Sequence, residues 1–352
     1  MGQRVRAFWV STQPVAVDPG KHVREMKEMG AEEIFLLSIE GNGALYPSKS
    51  FMTSPSSNGK DLIGPIIKEA KGSNMKVHAW VVAFNKPNEE LARSKKDWFA
   101  VNKNGVSCVD NPPYVPSYLW LCPTREDTRS FLLAGVQELA EKYDLDGIHL
   151  DYIRLPDVLM PEGLRVKYGI KGGVDVLNPE YDFCYCETCR SRFKAEHGID
   201  PIDIQFGTRF WYQWVQWRAD RITTFVKDFH KVVKAYDNTM ETSAAVFATP
   251  GTSYRYVFQQ WGRWPLDSLQ PMIYHEYYDK GVDWIGEAVL EGVSTGKKIV
   301  AGILLGFMKN EEEVLRGARV ALEKGAQGIC WFVYPIPKQE HKKAITAAFA
   351  EV

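Results

Sequence analysis

No stretch of this 352-residue chain approaches the ~20 consecutive apolar residues that a bilayer-spanning helix needs, so the sequence predicts no membrane span. Charge of one sign is equally scarce. Lys and Arg number 43 against 44 Asp and Glu, the formal net charge is −1, and no long basic run occurs. That balance removes the electrostatic case for nucleic acid or an anionic membrane as the main partner. No Gly-x-Gly-x-x-Gly follows the first strand-like run, which argues against a dinucleotide site. A metal-dependent amidohydrolase would want a His-x-His pair on an inner strand, whereas the corresponding run offers His78 alone. There is no internal repeat beyond β/α alternation, no low-complexity tail and no dividing linker. The first residues lack the apolar run of a secretory leader. A soluble cytoplasmic chain and a mature exported form without its signal peptide both fit, and a homo-oligomer is compatible with either.

What the chain has in quantity is aromatic side chains: 11 Trp, 16 Tyr and 17 Phe. Many must fill a core, but the surplus suits a cleft that stacks on flat apolar faces such as sugar rings. Short apolar runs alternate with amphipathic stretches, the pattern of β/α units around a parallel sheet. Strands are expected at about 4–12, 33–40, 75–84, 146–153, 240–248, 268–277, 298–305 and 327–334. Helical patterns fall at 20–30, 60–73, 125–143, 209–236, 282–294 and 311–324, with a last helix near 338–350. The connection from the fifth strand to the sixth reads as mostly irregular. Eight strands in this rhythm predict one α/β domain over 1–352, a single (β/α)₈ TIM barrel. Long connections at about 86–124 and 154–208 leave the third and fourth strands at their C-terminal ends, where barrel enzymes build active sites.

Side chains alternate along a strand, so in a barrel one set faces the lumen and the other the helices. In Asp146-Gly147-Ile148-His149-Leu150-Asp151 the apolar Ile148 and Leu150 share the helix-facing side. His149 and Asp151 then point inward, with Asp151 at the rim and Asp146 as a structural residue at the far end. The same alternation on the sixth strand groups Gln270, Met272, Tyr274 and Glu276, making Glu276 a second rim carboxylate. Glycoside hydrolysis needs two carboxyl groups, one donating a proton to the leaving oxygen and one acting at the anomeric carbon. The expected catalytic pair is Asp151, as nucleophile or base, and Glu276, as acid. Glu40, ending the second strand, is the other candidate acid. His78 and Trp80, sharing a face of the third strand, are expected to line the pocket with His149, Arg154 and Tyr274, and Trp331 is expected at its floor. Trp211, Trp214 and Trp217 recur every three residues, more as a core stripe than as a sugar platform. The stretch from Tyr114 to Trp120 is expected in a loop at the barrel mouth, where its rings can stack on a glycan.

Three of the six cysteines crowd into Cys184-Tyr-Cys186-Glu-Thr-Cys189, which suits metal ligation better than a disulfide framework. Thiolates favour zinc in closed tetrahedral sites of four ligands, so a fourth must come from elsewhere. Cys122 and Cys108, both in the preceding long connection, can supply it. Such a site would be structural and would pin the two long loops over the barrel mouth.

Several segments together resemble the glycosyl-hydrolase-10-like family: VRAFWVST, ALYPSKSF, DLIGPIIKEAKGSNMKVHAW, DWFAVNKNG, WLCPTREDTR, YDLDGIHLDYIRLP, WRADRITTFV and SLQPMIY. They occur in order over nearly the whole chain. The resemblance implies a (β/α)₈ barrel and carbohydrate hydrolysis, without a substrate. LCPTREDTR followed by CYCETCRSRFKAEHG is also similar to the zinc-binding segments of family 42 β-galactosidases. That likeness implies Cys122, Cys184, Cys186 and Cys189 as ligands of one structural zinc, in a subregion at about 154–208. Their catalytic pattern is not matched. Where those enzymes have Asn-Glu, this chain has Leu150-Asp151, and Ile299-Val300-Ala301-Gly302-Ile303 offers no carboxylate. The sequence therefore predicts a zinc-stabilised glycosidase acting on an oligo- or polysaccharide, the alternative being a non-catalytic glycan-binding barrel.

Overall fold

The apolar runs form β1 (Val5–Val10), β2 (Glu33–Glu40), β3 (Gly43–Ala44), β4 (Lys76–Val82) and β5 (Gly147–Asp151). They continue with β6 (Glu241–Phe247), β7 (Ser268–Met272), β8 (Ala301–Leu304) and β9 (Gly328–Tyr334). The structure is a computed structural model that describes residues 4–170 and 177–352. The sheet order is β1-β9-β8-β7-β6-β5-β4-β2-β3, and β1 also pairs with β2, so eight strands close on themselves. Every pairing in the ring is parallel, and β3 is a short antiparallel appendage of β2. This is the expected TIM barrel.

Closure divides the apolar residues into two cores. The lumen holds Val5, Ala7, Trp9, Phe35, Trp80, Ala245, Val300 and Cys330. The outer face packs on helices through residues such as Phe8, Ile34, Ile148, Leu150 and Ile329. The helix Glu126–Lys142 buries Leu132, Val136 and Leu139, a spacing of three and four that keeps one face on the sheet. The 28-residue helix Arg209–Tyr236 is started by the Thr208 side chain, which accepts from the Trp211 N–H, and buries Trp214, Ile222, Phe225 and Phe229. Each such side chain removed from water stabilises the fold by about 2–3 kcal/mol.

Two expectations are corrected. The sixth barrel strand ends at Met272, five residues early, and the chain turns at His275–Tyr278. The connection from β6 to β7 is not irregular throughout: it contains the helix Pro250–Val257, capped by Thr249 with proline in its first turn. No helix of the described residues is long and apolar enough to cross a membrane.

Candidate active site

At the C-terminal end of the barrel a cavity of about 350 Å³ opens between the lumen and the two long connections. Asp151 lines it from the last position of β5 and is only 6% exposed. Its Oδ2 accepts from the Trp80 indole N–H at 3.2 Å, and its Oδ1 from the Tyr152 backbone N–H at 2.6 Å. Burial pushes the carboxyl up to about 6, against the opposing pull of the Tyr152 N–H, Arg154 and the Trp80 N–H. A carboxyl poised there can give up or take a proton near neutral pH.

Among the described residues, the other acid in the cavity wall is Asp157, which sequence reasoning missed. Its Oδ2 accepts from the Tyr114 hydroxyl and from Arg154 Nη1, the latter at 3.0 Å, while its buried Oδ1 has no hydrogen-bond partner among the described residues. Arg154, three residues earlier, also gives an Nη1 hydrogen bond to the Leu155 carbonyl. Its guanidinium lies 4.8–5.9 Å from the rings of Trp120, Phe247, Tyr152 and Tyr118. Four rings and one carboxylate hold this cation rigid in the wall. The signal for Asp157 was its i,i+3 spacing from Arg154.

Of the expected pocket residues, the structure brings Asp151, Trp80, Arg154 and Tyr274 to the cavity. Tyr274 stands near Asp151, and burial with that neighbouring charge holds its hydroxyl protonated. Glu276 is exposed on the turn after β7 and is not among the lining residues. Its placement rested on strand alternation continuing past Met272, which the turn interrupts. Glu40 also turns aside. It accepts from Ser54 and Ser56 and, at 3.1 Å, from Gln13, after a register shift between Leu37 and Ile39 has altered the parity of β2.

His149 and His78 do face the lumen, but below the cavity. His149 Nε2 accepts from the Trp9 indole at 3.0 Å and its Nδ1 lies 2.9 Å from Ser243 Oγ. His78 sits deeper, with Nε2 3.4 Å from Glu33 Oε2. Trp331 is on the opposite side of β9, buried against Phe349, and Phe332 lines the cavity instead. All residues from Ile329 to Val333 are apolar or sulfur-bearing, so alternation carried no sign of which set faces in. Trp9, Phe247 and Phe332 also line the cavity, together with Tyr114, Tyr118, Tyr152, Tyr168, Tyr277 and Tyr278. Trp214 and Trp217 are core residues stacked on each other at 5.2 Å.

The cysteines cluster. Cys122, Cys184, Cys186 and Cys189 are buried, free of disulfides, and place their sulfurs within 4.8 Å of one another, a group that could hold a metal ion. Cys108 is elsewhere, with Sγ 3.2 Å from the Trp120 N–H.

The sequence family described as Glycosyl hydrolase-like 10 matches residues 6–311. The chain is similar to the glycosyl hydrolase YngK of Bacillus subtilis, with 23% identity over 264 residues, and spans 43% of that protein's length and 66% of its own. It also superposes on the PgaB (BpsB) glycoside hydrolase domain from Bordetella bronchiseptica, with TM-score 0.74, 12% identity and 99% of each chain covered. A GH42 β-galactosidase from G. stearothermophilus matches with TM-score 0.66 and 11% identity, over 100% of this chain and 57% of that one.

Proposed function

Because this chain belongs to the glycosyl hydrolase-like 10 family, we propose that it hydrolyses an O-glycosidic bond of an oligo- or polysaccharide with Asp151 as the proton-transferring acid. The observation that carries the reading is Asp151 itself: a buried carboxyl, raised to about 6, at the base of an aromatic cavity on the barrel's C-terminal face. A protonated acid there donates to the departing glycosidic oxygen as the C–O bond breaks, and the resulting carboxylate can then take a proton from water. The positive charge developing at the anomeric carbon needs an anion. Among the described residues Asp157 is the second acid inside the cavity, and it is our choice for that role in preference to Glu276, which lies outside the lining. Arg154, Trp80 and Tyr274 hold the sugar, the indole and tyrosine rings by stacking and the guanidinium by hydrogen bonds.

The reading is tested by product analysis on a polysaccharide panel with Asp151→Asn, Asp157→Asn and Glu276→Gln. Loss of release in Asp151→Asn with retained binding is expected. Azide rescue of the Asp157 variant but not of Glu276→Gln would place the second carboxylate. Unchanged turnover in Asp151→Asn sinks the assignment, and sugar binding without release by the unmodified chain supports a binding protein instead.

The four-cysteine group is proposed to hold a structural Zn²⁺. The five sulfur–sulfur separations of 3.1–3.6 Å approach the edge of a tetrahedron with Zn–S bonds of about 2.3 Å. Four thiolates leave no open position, so the ion would fasten Cys122 to the 154–208 connection and take no part in the reaction.

A further inference from the structure

The cavity has two unlike halves. Its walls come from loops and carry tyrosine hydroxyls together with Arg154 and Asp157, whereas its floor is the top layer of the lumen core. Trp9, Trp80, Ala245, Met272 and Phe332 belong to both the cavity and that core. The side chains of Ala245, Met272 and Phe332 carry no N–H or O–H. The Trp80 N–H is committed to Asp151, and the Trp9 N–H to His149. An indole N–H can only donate, so His149 Nε2 accepts, and the ring's proton is on Nδ1, donated to Ser243 Oγ at 2.9 Å. His149 is therefore a positioning residue, neutral and fixed in one tautomer, that turns the Trp9 N–H down into the barrel. A ligand meets the rings of both tryptophans and none of their donors.

We infer that the sugar unit seated against Asp151 directs a methyl-bearing substituent onto this floor, with its hydroxyls meeting the tyrosine walls. The 6-methyl of a deoxyhexose and the acetamido methyl of an N-acetylhexosamine share that chemistry. Against the rings and apolar side chains of this floor, clear of the Asp151 carboxyl, a hydroxyl would leave water without gaining a partner, and an apolar pocket rejects such an added hydroxyl by up to about 100-fold. The inference rests on the cavity being the glycosidase site proposed above.

Paired 4-nitrophenyl glycosides test it, fucosides against galactosides of both D and L series and N-acetylglucosaminides against glucosides, each as both anomers. The methyl-bearing member of one pair is expected to lead in kcat/KM by about 10- to 100-fold, and the pair that responds identifies the substituent. Parity, or preference for the hydroxyl member in both pairs, overturns the inference. Ala245→Ser, which adds a hydroxyl to the floor, should shrink the ratio several-fold, and Met272→Gln gives the same readout should the first variant disturb β6. An unaltered ratio in either folded variant also overturns it. If no glycoside is cleaved, the hydrolytic reading fails on its own. Calorimetric binding of fucose, galactose, N-acetylglucosamine and glucose to the Asp151→Asn protein then reads the floor directly, and equal or absent binding counts against it.

Discussion

Asp151 carries opposite demands of stability and chemistry. Its folded pKa, about 6, lies above the ordinary carboxylate value, so the folded chain binds this proton more tightly than the unfolded one. Stability is thus withdrawn as pH rises from about 4 to about 6, and the deficit persists above that range. Two pK units correspond to roughly 3 kcal/mol. Asn at this position removes the charge but offers one acceptor oxygen to two donors, the Trp80 and Tyr152 N–H groups, which takes back about 1 kcal/mol. Asp151→Asn should therefore raise Tm at pH 7 and lose the advantage near pH 4, while turnover falls by a factor of at least about 10³. Thermal melts at the two pH values check the first part. In the unmodified protein kcat/KM should fall tenfold per pH unit above about 6, as the proposed proton donor ionises. A profile flat to pH 8 would remove Asp151 from that role. Asp157→Asn behaves differently, because it strands the buried Arg154 guanidinium. A destabilisation of about 3–5 kcal/mol in chemical denaturation is expected.

At the scale of elements, the sequence showed strands and helices where apolar periodicity was strong. The runs at 33–40 and 209–236 match β2 and the long helix. It showed Asp151 because Ile148 and Leu150 mark the outward face of β5 unambiguously. It misplaced Glu276 and Glu40, since a strand that stops early and a register shift both break parity without a trace in composition. Asp157 escaped because it lies on an irregular segment, where alternation says nothing. The cysteine cluster was legible because spacing within Cys-x-Cys-x-x-Cys is local, while the choice of Cys122 over Cys108 depends on how two distant connections meet. That meeting gives the next prediction. Elemental analysis should find one zinc per chain. Stripping it, or Cys184→Ser, should cost about 3 kcal/mol and several degrees of Tm. Proteolysis should then accelerate within the 154–208 connection ahead of the barrel, and metal-free protein of unchanged Tm and protease resistance would contradict a structural ion.

The whole molecule depends on a seam that no local signal describes. The barrel is sealed by β1 pairing with β9, Val5 opposite Gly328, across almost the full length of the chain. Neither strand can hold the other until the intervening units are in place, so closure is a late, non-local contact. The last helix, Lys342–Glu351, covers this seam: Phe349 is 1% exposed and packs edge-on against Phe8 of β1 at 5.5 Å and against Trp331 of β9 at 6.5 Å. Both contacts are on the outer face, on the far side of the strands from the cavity, whose lining from the same two strands is Trp9 and Phe332. Phe349→Ala should consequently lower global stability by about 3–5 kcal/mol in urea unfolding. At 25 °C it should leave kcat/KM within about twofold, since no lining residue loses a neighbour from its own face. The outcome that contradicts this division is a folded Phe349→Ala protein with near-normal stability and a large loss of activity, because the seam would then be communicating with the site across the sheet.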